Sequence, residues 1–540
     1  MPGATVTRCW WGWGRDAEHL DAAAVAGLGT EVGRRLGAGP RHAAAAAQLS
    51  DVEVPTSAIA GPTVPGSLEE LFDLDPGARV VAGHGQAFRE VARAFHGAVV
   101  RVPDAVLRPR DADDVERLLA WADQAGVAVV PRGGGTSVVE GTAPPPDEPR
   151  PVVTLDLGRL DQVTNVDATS LAARVQAGVF GPALEDQLRP HRLTLRFFPQ
   201  SFEFSTLGGW IVTRAGGHFA TGPTHIDDLV ESVDAITPTG RWSSRRLPAS
   251  GAGPSPDRLL LGSEGTLGVV TSAWVRVRRR PVHRSTATLH APTMSAAADA
   301  VRRIVQAGLQ PANARVLDPV EAVLNGAGDG SHAVLVLGFE SADRPQRDHL
   351  DDAVAIARDA GATISTQPRH IEGDRTATAT GGAASWRSSF LAGPYLRDAL
   401  ISLGMVVETF ETAITWDRFD AFVGQVRDAA QRAAAQVCGA ALVAVRITHA
   451  YPDGAAPYFT VIAPGREGVA DRVAQWDAVK AAASDAILAA GGTITHHHAV
   501  GRTHLPWWRD QVPEPHRRIL QAGKAAVDPN RILNPGVLGL

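Results

Sequence analysis

The sequence predicts an α+β fold, and two of its regions carry that prediction. In the first, residues 111–126 show the apolar periodicity of an amphipathic helix, residues 127–130 form a short apolar strand, and three glycines follow. In the second, residues 285–495 alternate strand and helix patterns, which favours an antiparallel sheet with helices on one face. A chain of 540 residues is long enough for about two to four domains.

The first region is organised around its three glycines. Before them, the run CWWGWG at 9–14 predicts an arm that packs on the main body through its tryptophans. Apolar periodicity and turn residues set the other elements. In chain order these are a weakly amphipathic helix at 16–38, the helix at 111–126, strands at 152–157 and 171–177, a helix from Pro182 to about 193, and strands at 229–237 and 269–278.

The second region repeats a strand–helix–strand pattern. Its predicted elements are a strand at 285–290, a helix at 294–307, a strand at 313–317, a helix at 416–438, strands at 442–448 and 458–463, and a long helix that ends at Gly491 and Gly492. Residues 366–389 are rich in Thr, Ala, Gly and Ser, which predicts a mobile loop and a candidate lid.

Composition excludes several classes of protein. The formal charge of −6 and the pI near 6.3 give no basic surface for nucleic acid. Cys9 and Cys438, the two cysteines, lie too far apart for a thiolate metal motif or a disulfide framework and fit a reducing cytosol. There is no run of about 18 apolar residues and no apolar signal-peptide core, so we expect a cytoplasmic protein without a transmembrane segment.

The glycine loop PRGGGTSVVEGT at 131–142 is a candidate anion-binding site. Backbone N–H groups of consecutive glycines can turn toward one point, which is how a chain holds phosphate. The loop lacks the helix that follows the glycines in G-x-G-x-x-G, and it lacks the Gly-Lys-Ser/Thr of a nucleotide P-loop. Taken alone, the run fits an ordinary turn between strands as well as it fits a ligand loop.

Two further segments complete a set: PQSFEFSTLGGWIVTRAGG at 199–217 and LLLGSEGTLGVVT at 259–271. With the glycine loop, they resemble the FAD-binding PCMH-type domain of the vanillyl-alcohol oxidase and p-cresol methylhydroxylase flavoprotein family. The segments CWWGWG, SFEFSTLGGW, ETFETAITWDR at 408–418 and HHHAVG at 496–501 resemble one branch of that family, the alkyldihydroxyacetonephosphate synthases.

This resemblance covers nearly the whole chain and implies its division into domains. The parts implied are an N-terminal extension at 1–95, a two-subdomain FAD-binding PCMH-type domain at 96–284, an α+β substrate or cap domain with an antiparallel sheet at 285–495, and a C-terminal segment at 496–540 that returns to the FAD domain. The last segment contains DPNRILNPG, which is similar to the ending of FAD-linked oxidases.

The cofactor implied is FAD. Several relatives that attach FAD covalently have a histidine where this chain has Thr136, so we expect tightly bound but non-covalent FAD. By the same resemblance, the residues that contact or support the cofactor are Pro131, Gly133, Gly134, Gly135, Thr136, Ser137, Pro199, Ser201, Ser205, Thr206, Gly208, Gly209, Thr213, Glu264, Gly265, Gly268, Val269 and Arg315.

Candidate catalytic residues lie in the second half of the chain. Imidazole titrates near pH 6.5, at about the value that suits proton transfer, and His496, His497 and His498 follow the predicted helix end. Adjacent residues of an extended run point to opposite faces, and no cysteine or carboxylate cluster stands nearby in sequence, so we expect no metal. The Tyr458 phenol, with an ordinary pKa of about 10, can act as acid or base only if its surroundings lower that value.

The resemblance assigns roles to these residues. It implies that Tyr458 is catalytic, that the three histidines act at the active site, and that Arg397 in PYLRDAL holds phosphate, while Arg315 in NARVLD supports the cofactor region. From the residues alone, Tyr458 could equally be a core aromatic of a strand, and a lone arginine is usually a surface ion pair. Bidentate binding of phosphate by guanidinium is the physical reason for an arginine at such a site.

The reaction implied exchanges the acyl group of acyl-dihydroxyacetone phosphate for a fatty alcohol, without net oxidation, through an adduct at flavin N5. The partners implied are a small-molecule substrate that is phosphorylated or lipid, and a second copy of the chain in a homodimer.

The sequence departs from the family pattern in one segment, because LNGAGDGSHA at 324–333 replaces a much longer, partly amphipathic insertion of the eukaryotic synthases. The main alternative is an FAD-linked oxidase or dehydrogenase of a 2-hydroxy acid or small alcohol, and a third class is a flavin-binding protein without catalysis.

Overall fold

The structure is a computed structural model that describes residues 8–59, 64–373 and 382–540. Its helices are α1 (Ala22–Arg35), α2 (Pro76–Ala82), α3 (Phe88–Phe95), α4 (Ala112–Ala125), α5 (Gly181–Leu188), α6 (Leu207–Thr213), α7 (Met294–Gln306), α8 (Pro319–Leu324), α9 (Arg347–Asp359), α10 (Gly382–Ser402), α11 (Phe419–Cys438), α12 (Val469–Ala489), α13 (Leu505–Gln511) and α14 (Glu514–Val527).

The strands form sheets of four, five, two and eight strands. They are β1 (Phe72–Asp73), β2 (Ala105–Leu107), β3 (Ala128–Arg132), β4 (Val152–Asp156), β5 (Val163–Asp167), β6 (Ala172–Gln176), β7 (Leu193–Thr194), β8 (Val230–Thr237), β9 (Gly240–Ser243), β10 (Val269–Arg276), β11 (Arg278–Arg279), β12 (His283–Ala291), β13 (Asn313–Leu317), β14 (Ala333–Ser341), β15 (Thr363–Glu372), β16 (Met405–Glu411), β17 (Ile414–Thr415), β18 (Leu442–Ala450) and β19 (Gly454–Pro464).

The N-terminal arm packs through its aromatic side chains, as predicted. The Trp11 ring meets the Phe95 ring edge-on at a centroid distance of 4.9 Å, and the Trp13 ring meets Phe204 at 5.5 Å. The helix that follows is shorter than the predicted 16–38, because α1 begins only after Asp21, whose side chain accepts a hydrogen bond from the Ala24 N–H at 2.8 Å. The arm therefore lies against the segments that carry Phe95 and Phe204.

The four-stranded sheet presents the glycine loop at the end of a parallel strand. Its order is β1-β2-β4-β3, with β4 parallel to both β2 and β3. Helix α4 precedes β3 as predicted: Asp111 caps its first turn, and Gly126 ends it in the left-handed conformation with φ of 66°. The chain leaves the sheet after Arg132 and forms the glycine loop there.

The five-stranded antiparallel sheet has the order β5-β6-β10-β8-β9 and supports α6. Leu207, Trp210 and Ile211 of α6 are buried in the same core as the strand residues Val175 and Ala273. Close packing requires glycine at 208, since a Cβ there would lie 2.7 Å from the Ala177 Cβ. Helix α6 and the residues before it are thereby fixed beside the sheet.

The eight-stranded antiparallel sheet forms the second region. Its order is β15-β12-β14-β13-β18-β19-β16, and β17 pairs with β19. Alternate residues of the central strands, such as Val445, Ile447 and Phe459, join one core with apolar residues of α7, α9, α11 and α12. The predicted antiparallel sheet is confirmed, but the prediction of helices on one face was wrong, because α8 packs on the opposite face, where Ala322 shares a core with Leu317, Val334 and Val336. Further along that face, β16, β18 and β19 carry polar residues.

Several predicted boundaries were wrong. Most of the loop expected at 366–389 is strand β15 and helix α10, while residues 374–381 lie outside the described residues. Strand β15 was not predicted because its sequence, TISTQPRHIE, has few apolar residues, and about every second side chain is exposed. The helix predicted to reach about 193 ends at Leu188 in α5, and the prediction omitted β14 and β16.

Within the described ranges, no helix combines the length and the apolar character needed to span a bilayer.

Candidate active site

Strand register brings ionisable side chains onto one face of the eight-stranded sheet. Tyr458 on β19 lies directly opposite Glu411 on β16 and directly opposite Arg446 on β18. Directly opposed residues of antiparallel strands share a face, so these three side chains are neighbours. A bulge in β18 adds His449 to the same face, because the extra residue reverses the alternation between Arg446 and His449.

The histidine triplet joins this face from the end of α12. Gly491, with φ of 76°, ends the helix, and the His496 N–H donates to the Glu411 carbonyl at 3.2 Å, so the triplet runs beside the end of β16. His497 Nδ1 lies 2.6 Å from the Glu411 carboxylate and His496 Nδ1 lies 3.5 Å from it. His498 instead meets the Tyr458 ring edge-on, at a centroid distance of 5.8 Å.

The Glu411 carboxylate is the centre of the cluster, with a side chain that is 0% exposed. Besides the triplet, it faces His449 Nδ1 at 3.4 Å and accepts a short hydrogen bond from the Thr448 hydroxyl. Burial alone would raise its pKa, but the charge interaction with His497 and the hydrogen bonds from His496 and His497 outweigh burial and hold the pKa well below its ordinary value. Glu411 is therefore an ionised group inside a shell of imidazoles.

Burial keeps several of these imidazoles neutral. It lowers the pKa of His449 and of His496 to about 4, and that of His498 to about 3. His449 Nε2 lies 2.9 Å from the Gly217 carbonyl and must carry the hydrogen, because a carbonyl only accepts. Neutral imidazoles can both accept and donate a proton, which is the property that acid–base chemistry needs.

Two residues that the sequence analysis did not identify extend the cluster. Tyr451 O–H lies 2.8 Å from His496 Nε2 and 3.1 Å from the Thr224 hydroxyl. His225 Nε2 lies 3.2 Å from His496 Nε2. A connected set of hydrogen-bonding groups thus leads from Glu411 through His496 to His225, which belongs to the segment between α6 and β8.

The cluster also bears on metal binding. Ligand atoms of Glu411, His449, His496 and His497 lie within 4.8 Å of one another, so the expectation that no carboxylate completes a set of ligands was wrong. Two ligands on a tetrahedral zinc with bonds of about 2.0–2.1 Å are roughly 3.3 Å apart. The distances of 3.4 and 3.5 Å from Glu411 to the Nδ1 atoms of His449 and His496 match this spacing, whereas the 2.6 Å between His497 Nδ1 and Glu411 Oε2 is too short for it.

The loops predicted to hold the cofactor meet one another. A Cβ on Gly134 would lie 1.7 Å from the Phe204 carbonyl oxygen, and one on Gly133 would lie 2.2 Å from the Thr206 hydroxyl oxygen. A Cβ on Gly265 would lie 3.0 Å from the Pro131 ring. The glycine loop therefore touches both the segment before α6 and the turn before β10, and only glycine permits these approaches.

Some predicted cofactor residues already have partners inside their own segment. Ser205 Oγ accepts from the Trp210 indole N–H at 2.7 Å and lies 3.0 Å from Ser201 Oγ. The Thr206 side chain caps α6 by accepting from the Gly209 N–H, and the Thr213 hydroxyl donates to the Gly209 carbonyl at 2.8 Å. These contacts shape the segment around the glycine loop.

Residues from the C-terminal part complete the loop cluster, and the sequence analysis missed them. Buried Glu264 accepts from the N–H groups of Val500 and Gly501 at 3.0 and 2.9 Å, and burial raises its pKa to about 7. The Asn534 amide donates to the carbonyls of Glu264 and Gly141 at 2.7 and 3.0 Å. In the sequence, Gly501 and Asn534 are a single glycine and a single asparagine outside any periodic pattern. Only their tertiary contacts show that they belong to the loop cluster.

This cluster has the chemistry to hold FAD. Within the described ranges, Thr142 Oγ1, Ser263 Oγ and Asn534 Oδ1 are buried side-chain atoms without a hydrogen-bond partner. Buried polar atoms normally have partners, so three such oxygens beside the glycine loop fit a polar ligand that supplies them. The residues present therefore fit a dinucleotide cofactor.

The sheet face that carries Glu411 and Tyr458 contacts the segment after α6 directly. The residues after α6 receive hydrogen bonds from the sheet face: His449 bonds the Gly217 carbonyl, and the Arg315 guanidinium donates to the His218 carbonyl at 2.7 Å. A Cβ on Gly216 would lie 3.0 Å from His497 Nδ1. The histidine cluster thus lies against the end of the segment that carries the predicted cofactor residues.

The two predicted arginines lie in different surroundings. Arg315 is buried on β13, and burial lowers its pKa to about 9. Arg397 on α10 donates to the backbone carbonyl and the side-chain oxygen of Gln86, at 2.8 and 2.7 Å, and to Asp398. The hydrogen bonds of Arg397 that the structure describes thus tie it to the N-terminal side of the chain.

Family models match most of the chain. The model of the FAD binding domain matches residues 103–244, and the model of the C-terminal domain of FAD linked oxidases matches residues 280–538. The alkyldihydroxyacetonephosphate synthase of Dictyostelium discoideum is 31% identical over 86% of this chain and 78% of its own length. The glycolate oxidase subunit GlcD of Bacillus subtilis is 28% identical over 81% of this chain and 88% of its own length.

Solved structures give the same relationship. An alkyldihydroxyacetonephosphate synthase superposes with a TM-score of 0.81 at 25% sequence identity, covering 98% of each chain. p-Cresol methylhydroxylase superposes with a TM-score of 0.69 at 14% identity, covering 90% of this chain and 99% of its own, which shows a shared fold.

Proposed function

Since the chain belongs to the family of the alkyldihydroxyacetonephosphate synthases, within the FAD-linked oxidases, we propose that it exchanges the acyl group of acyl-dihydroxyacetone phosphate for an alkyl group. It is an FAD-dependent enzyme by this membership. The observation that carries the proposal is Tyr458, which lies between Arg446 and Glu411 on a sheet face that contacts the predicted cofactor segment.

FAD, when bound, supplies a ring whose N5 can take up and release a substrate carbon or a hydride. The chain's own groups hold it: the glycines at 133–135, the α6 N-terminus with Thr206, and the turn with Glu264 would surround the cofactor. The partnerless oxygens of Thr142, Ser263 and Asn534 support this role. Non-covalent attachment is part of the proposal, since Thr136 offers no nucleophilic imidazole, and acid precipitation of the holoenzyme should release all flavin into the supernatant.

Proton transfer is the task we assign to the sheet face. Replacing the acyloxy group by an alkoxy group requires the incoming alcohol to lose its proton, which finally passes to the departing carboxylate or to the solvent. Tyr458 can give and take a proton at its phenolic oxygen, and the neutral ring of His498 packs against it. The imidazoles around Glu411 provide further exchangeable sites, which the contacts through Tyr451 and His225 extend away from the sheet.

Arg397 is the proposed phosphate-binding residue. Its guanidinium makes four hydrogen bonds, to Gln86 and Asp398, from a group with five N–H donors. A bidentate contact to phosphate would therefore replace one of the Gln86 contacts. Asp398 keeps the guanidinium in place, since its side chain is 0% exposed and also accepts from the Trp13 N–H.

The decisive experiment mixes the anaerobic holoenzyme with acyl-dihydroxyacetone phosphate, then with a long-chain alcohol, and analyses the products by mass spectrometry. We expect an ether-linked alkyl product and one free fatty acid per turnover, with no electron acceptor consumed. Tyr458→Phe, which retains the ring but not the hydroxyl, is the matched inactive control. Absence of the ether product from a flavin-loaded wild-type enzyme would exclude the synthase.

A second function is favoured by one observation. Helix α8 ends at Leu324 and β14 begins at Ala333, so only a short connection stands where the resemblance implies a long insertion for the acyl chain. A smaller substrate, such as a 2-hydroxy acid, fits this feature, and the relatives include a glycolate oxidase subunit. Flavin bleaching by a hydroxy acid, with release of a keto acid, would establish this oxidoreductase in place of the synthase.

Three further properties belong to the proposal. The lipid nature of the substrate follows from the synthase reaction, and titration with alcohols of increasing chain length tests it. A homodimer is expected from the family resemblance, and light scattering of the holoenzyme measures it. A cytoplasmic location fits Cys9 and Cys438, which are both free thiols in the structure.

A further inference from the structure

Arg446 lies flat against the ring of the proposed catalytic tyrosine. The two residues pair across β18 and β19, and the Arg446 guanidinium carbon is 3.8 Å from the Tyr458 ring centroid. Among the cation–ring contacts of the described residues this is the shortest. Both side chains are buried, with 8% of Arg446 and 6% of Tyr458 exposed, so little water screens the contact.

An ion pair fixes the guanidinium in this position. Glu321 on α8 accepts from Arg446 Nη1 at 2.6 Å. The helix is itself tied to β18, because Asp318 caps it by accepting from the Glu321 N–H at 2.7 Å, and the Asp318 N–H donates to the Val445 carbonyl at 2.9 Å. Arg446 is therefore held by a carboxylate whose helix is itself bonded to β18.

The orientation of Arg446 is not the one that maximises its hydrogen bonds. Its Nε is buried without a hydrogen-bond partner within the part of the chain that the structure describes. A buried donor that lacks a partner is unfavourable, so a guanidinium that served only to pair with a carboxylate would be expected to use Nε as well. Stacking on the phenol ring is the interaction that this geometry satisfies.

We propose that Arg446, held by Glu321, is a positioning residue that fixes the Tyr458 ring and stabilises its phenolate whenever the hydroxyl has given its proton to a bound reactant. The inference rests on the proton-transfer role proposed for Tyr458. A cation over the face of an aromatic ring is attracted by the ring quadrupole, and the attraction increases when the contact is desolvated. The negative charge of a phenolate adds a direct Coulomb attraction to the same cation.

Most other groups around Tyr458 disfavour its phenolate, so a nearby cation is needed to stabilise that form. Burial raises the pKa of Tyr458, and the carboxylates of Glu411 on β16 and Glu321 on α8 raise it further. Arg446 opposes them, together with a hydrogen bond from the Thr409 hydroxyl. The neighbouring imidazole of His498 is neutral, since burial lowers its pKa to about 3, so the Arg446 guanidinium is the cation in contact with the ring.

The test measures the phenol directly and does not depend on the reaction. The chain has three tyrosines, so the holoenzyme labelled with fluorotyrosine should give three ¹⁹F resonances, and Tyr458→Phe identifies the one from Tyr458. We expect Arg446→Met to raise the titration midpoint of that resonance by about one pH unit or more. Arg446→Lys, which keeps the charge without the planar stack, should give a smaller rise.

Two controls keep the test decisive. Arg427→Met removes an arginine that pairs with Asp318 at the start of the same helix, at 2.5 Å, and it should leave the Tyr458 midpoint unchanged. If Arg446→Met fails to fold because Glu321 is left unpaired, the double variant with Glu321→Gln removes that buried charge. Its midpoint should still rise, but by less than in Arg446→Met, because the Glu321 carboxylate itself raises the pKa of Tyr458. An unchanged midpoint in a folded, flavin-loaded Arg446 variant, or an equal rise in Arg427→Met, would overturn the inference.

The outcome is also separable from the proposed function. If the wild-type enzyme forms no ether product while the Tyr458 resonance still moves in Arg446→Met, the synthase assignment fails and the positioning role stands. If ether formation is confirmed and the midpoint does not move, the positioning role fails alone. In an active enzyme, Arg446→Met should shift the pH profile of kcat in the same direction as the resonance, whereas a purely structural defect would lower kcat equally at every pH.

Discussion

Glu411 and Tyr458 occupy the same rung of the ladder between β16 and β19. The carboxylate gathers His449, His496 and His497, while the phenol meets His498, whose ring lies edge-on to that of His497 at 4.9 Å. Strand pairing therefore places an ionised carboxylate and a phenol side by side, each in contact with its own histidine side chains.

The first prediction concerns the Tyr458 hydroxyl. Tyr458→Phe should lower kcat for ether formation by about 10² to 10⁴-fold, which is the usual contribution of a general acid or base. The ring still packs against His498 and Arg446, so flavin content and unfolding temperature should stay close to wild type. Steady-state assays beside the visible flavin spectrum give both readings, and retention of more than a tenth of the activity would remove Tyr458 from the chemistry.

The second prediction concerns the pH dependence of folding. The pKa of His449 is about 4 in the folded protein and about 6.5 in an unfolded chain, so the unfolded state binds more protons between these values. Stability should therefore fall as the pH decreases from about 6.5 to 4, by up to about 1.4 kcal/mol per pH unit for each such histidine. His449→Gln should make this dependence shallower by about one proton. Urea unfolding at a series of pH values measures it.

Stability measured above pH 7 is the reference for this prediction. Above pH 7 both the folded and the unfolded states hold His449 neutral, so the wild-type and variant curves should run parallel there. Curves that stay parallel down to pH 4.5 would show that His449 is protonated in the folded cluster, and the picture of neutral imidazoles around Glu411 would be wrong.

The sequence predicted the elements with strong periodicity, and tertiary contacts decided the rest. Helix α4 was predictable because Asp111 and Gly126 mark its ends. Strand β15 was not, because its polar, alternately exposed side chains resemble a loop. The histidine triplet was visible as a motif, but Glu411 is 85 positions before His496 in the chain, and only the tertiary contact between the triplet and the end of β16 brings them together.

The bulge in β18 explains why two residues of the site, Arg446 and His449, could not be predicted from the sequence. His449 and Arg446 are separated by an odd number of positions, which in a regular strand turns them to opposite faces. The bulge in β18 places both on the face of Tyr458. A bulge has no reliable signature in a single sequence, so the sequence analysis did not name Arg446 or His449 as site residues.

The third prediction concerns the contact between the glycine loop and the segment before α6. Gly134→Ala should abolish flavin binding, because its Cβ would lie 1.7 Å from the Phe204 carbonyl oxygen and would force the two loops apart. Gly424→Ala is the matched control: this glycine is inside α11 with nothing within 4 Å, and alanine should stabilise the helix by about 0.5–1 kcal/mol. Normal flavin content in Gly134→Ala would show that the loop contact does not shape the cofactor site.

The fourth prediction concerns Arg397 and the phosphate of the substrate. Its side chain is only 16% exposed and is held by Gln86 and Asp398, so the guanidinium can present two parallel N–H groups to a phosphate once one of its Gln86 contacts is replaced. Lysine at this position keeps the charge but cannot make two parallel hydrogen bonds. Arg397→Lys should therefore raise the KM for acyl-dihydroxyacetone phosphate by about 10- to 100-fold, the equivalent of one or two charge-assisted hydrogen bonds, while flavin content stays unchanged.

A substrate analogue without phosphate serves as a control for the Arg397→Lys variant. With acyl-dihydroxyacetone, wild type and Arg397→Lys should have equal KM values, because the residue then has no group to bind. Arg241→Lys, at an exposed ion pair with Asp113 and Glu116, should behave as wild type with both substrates. If Arg397→Lys weakens both substrates equally, Arg397 acts through the fold, by its contacts to Gln86 and Asp398, and another residue must bind the phosphate.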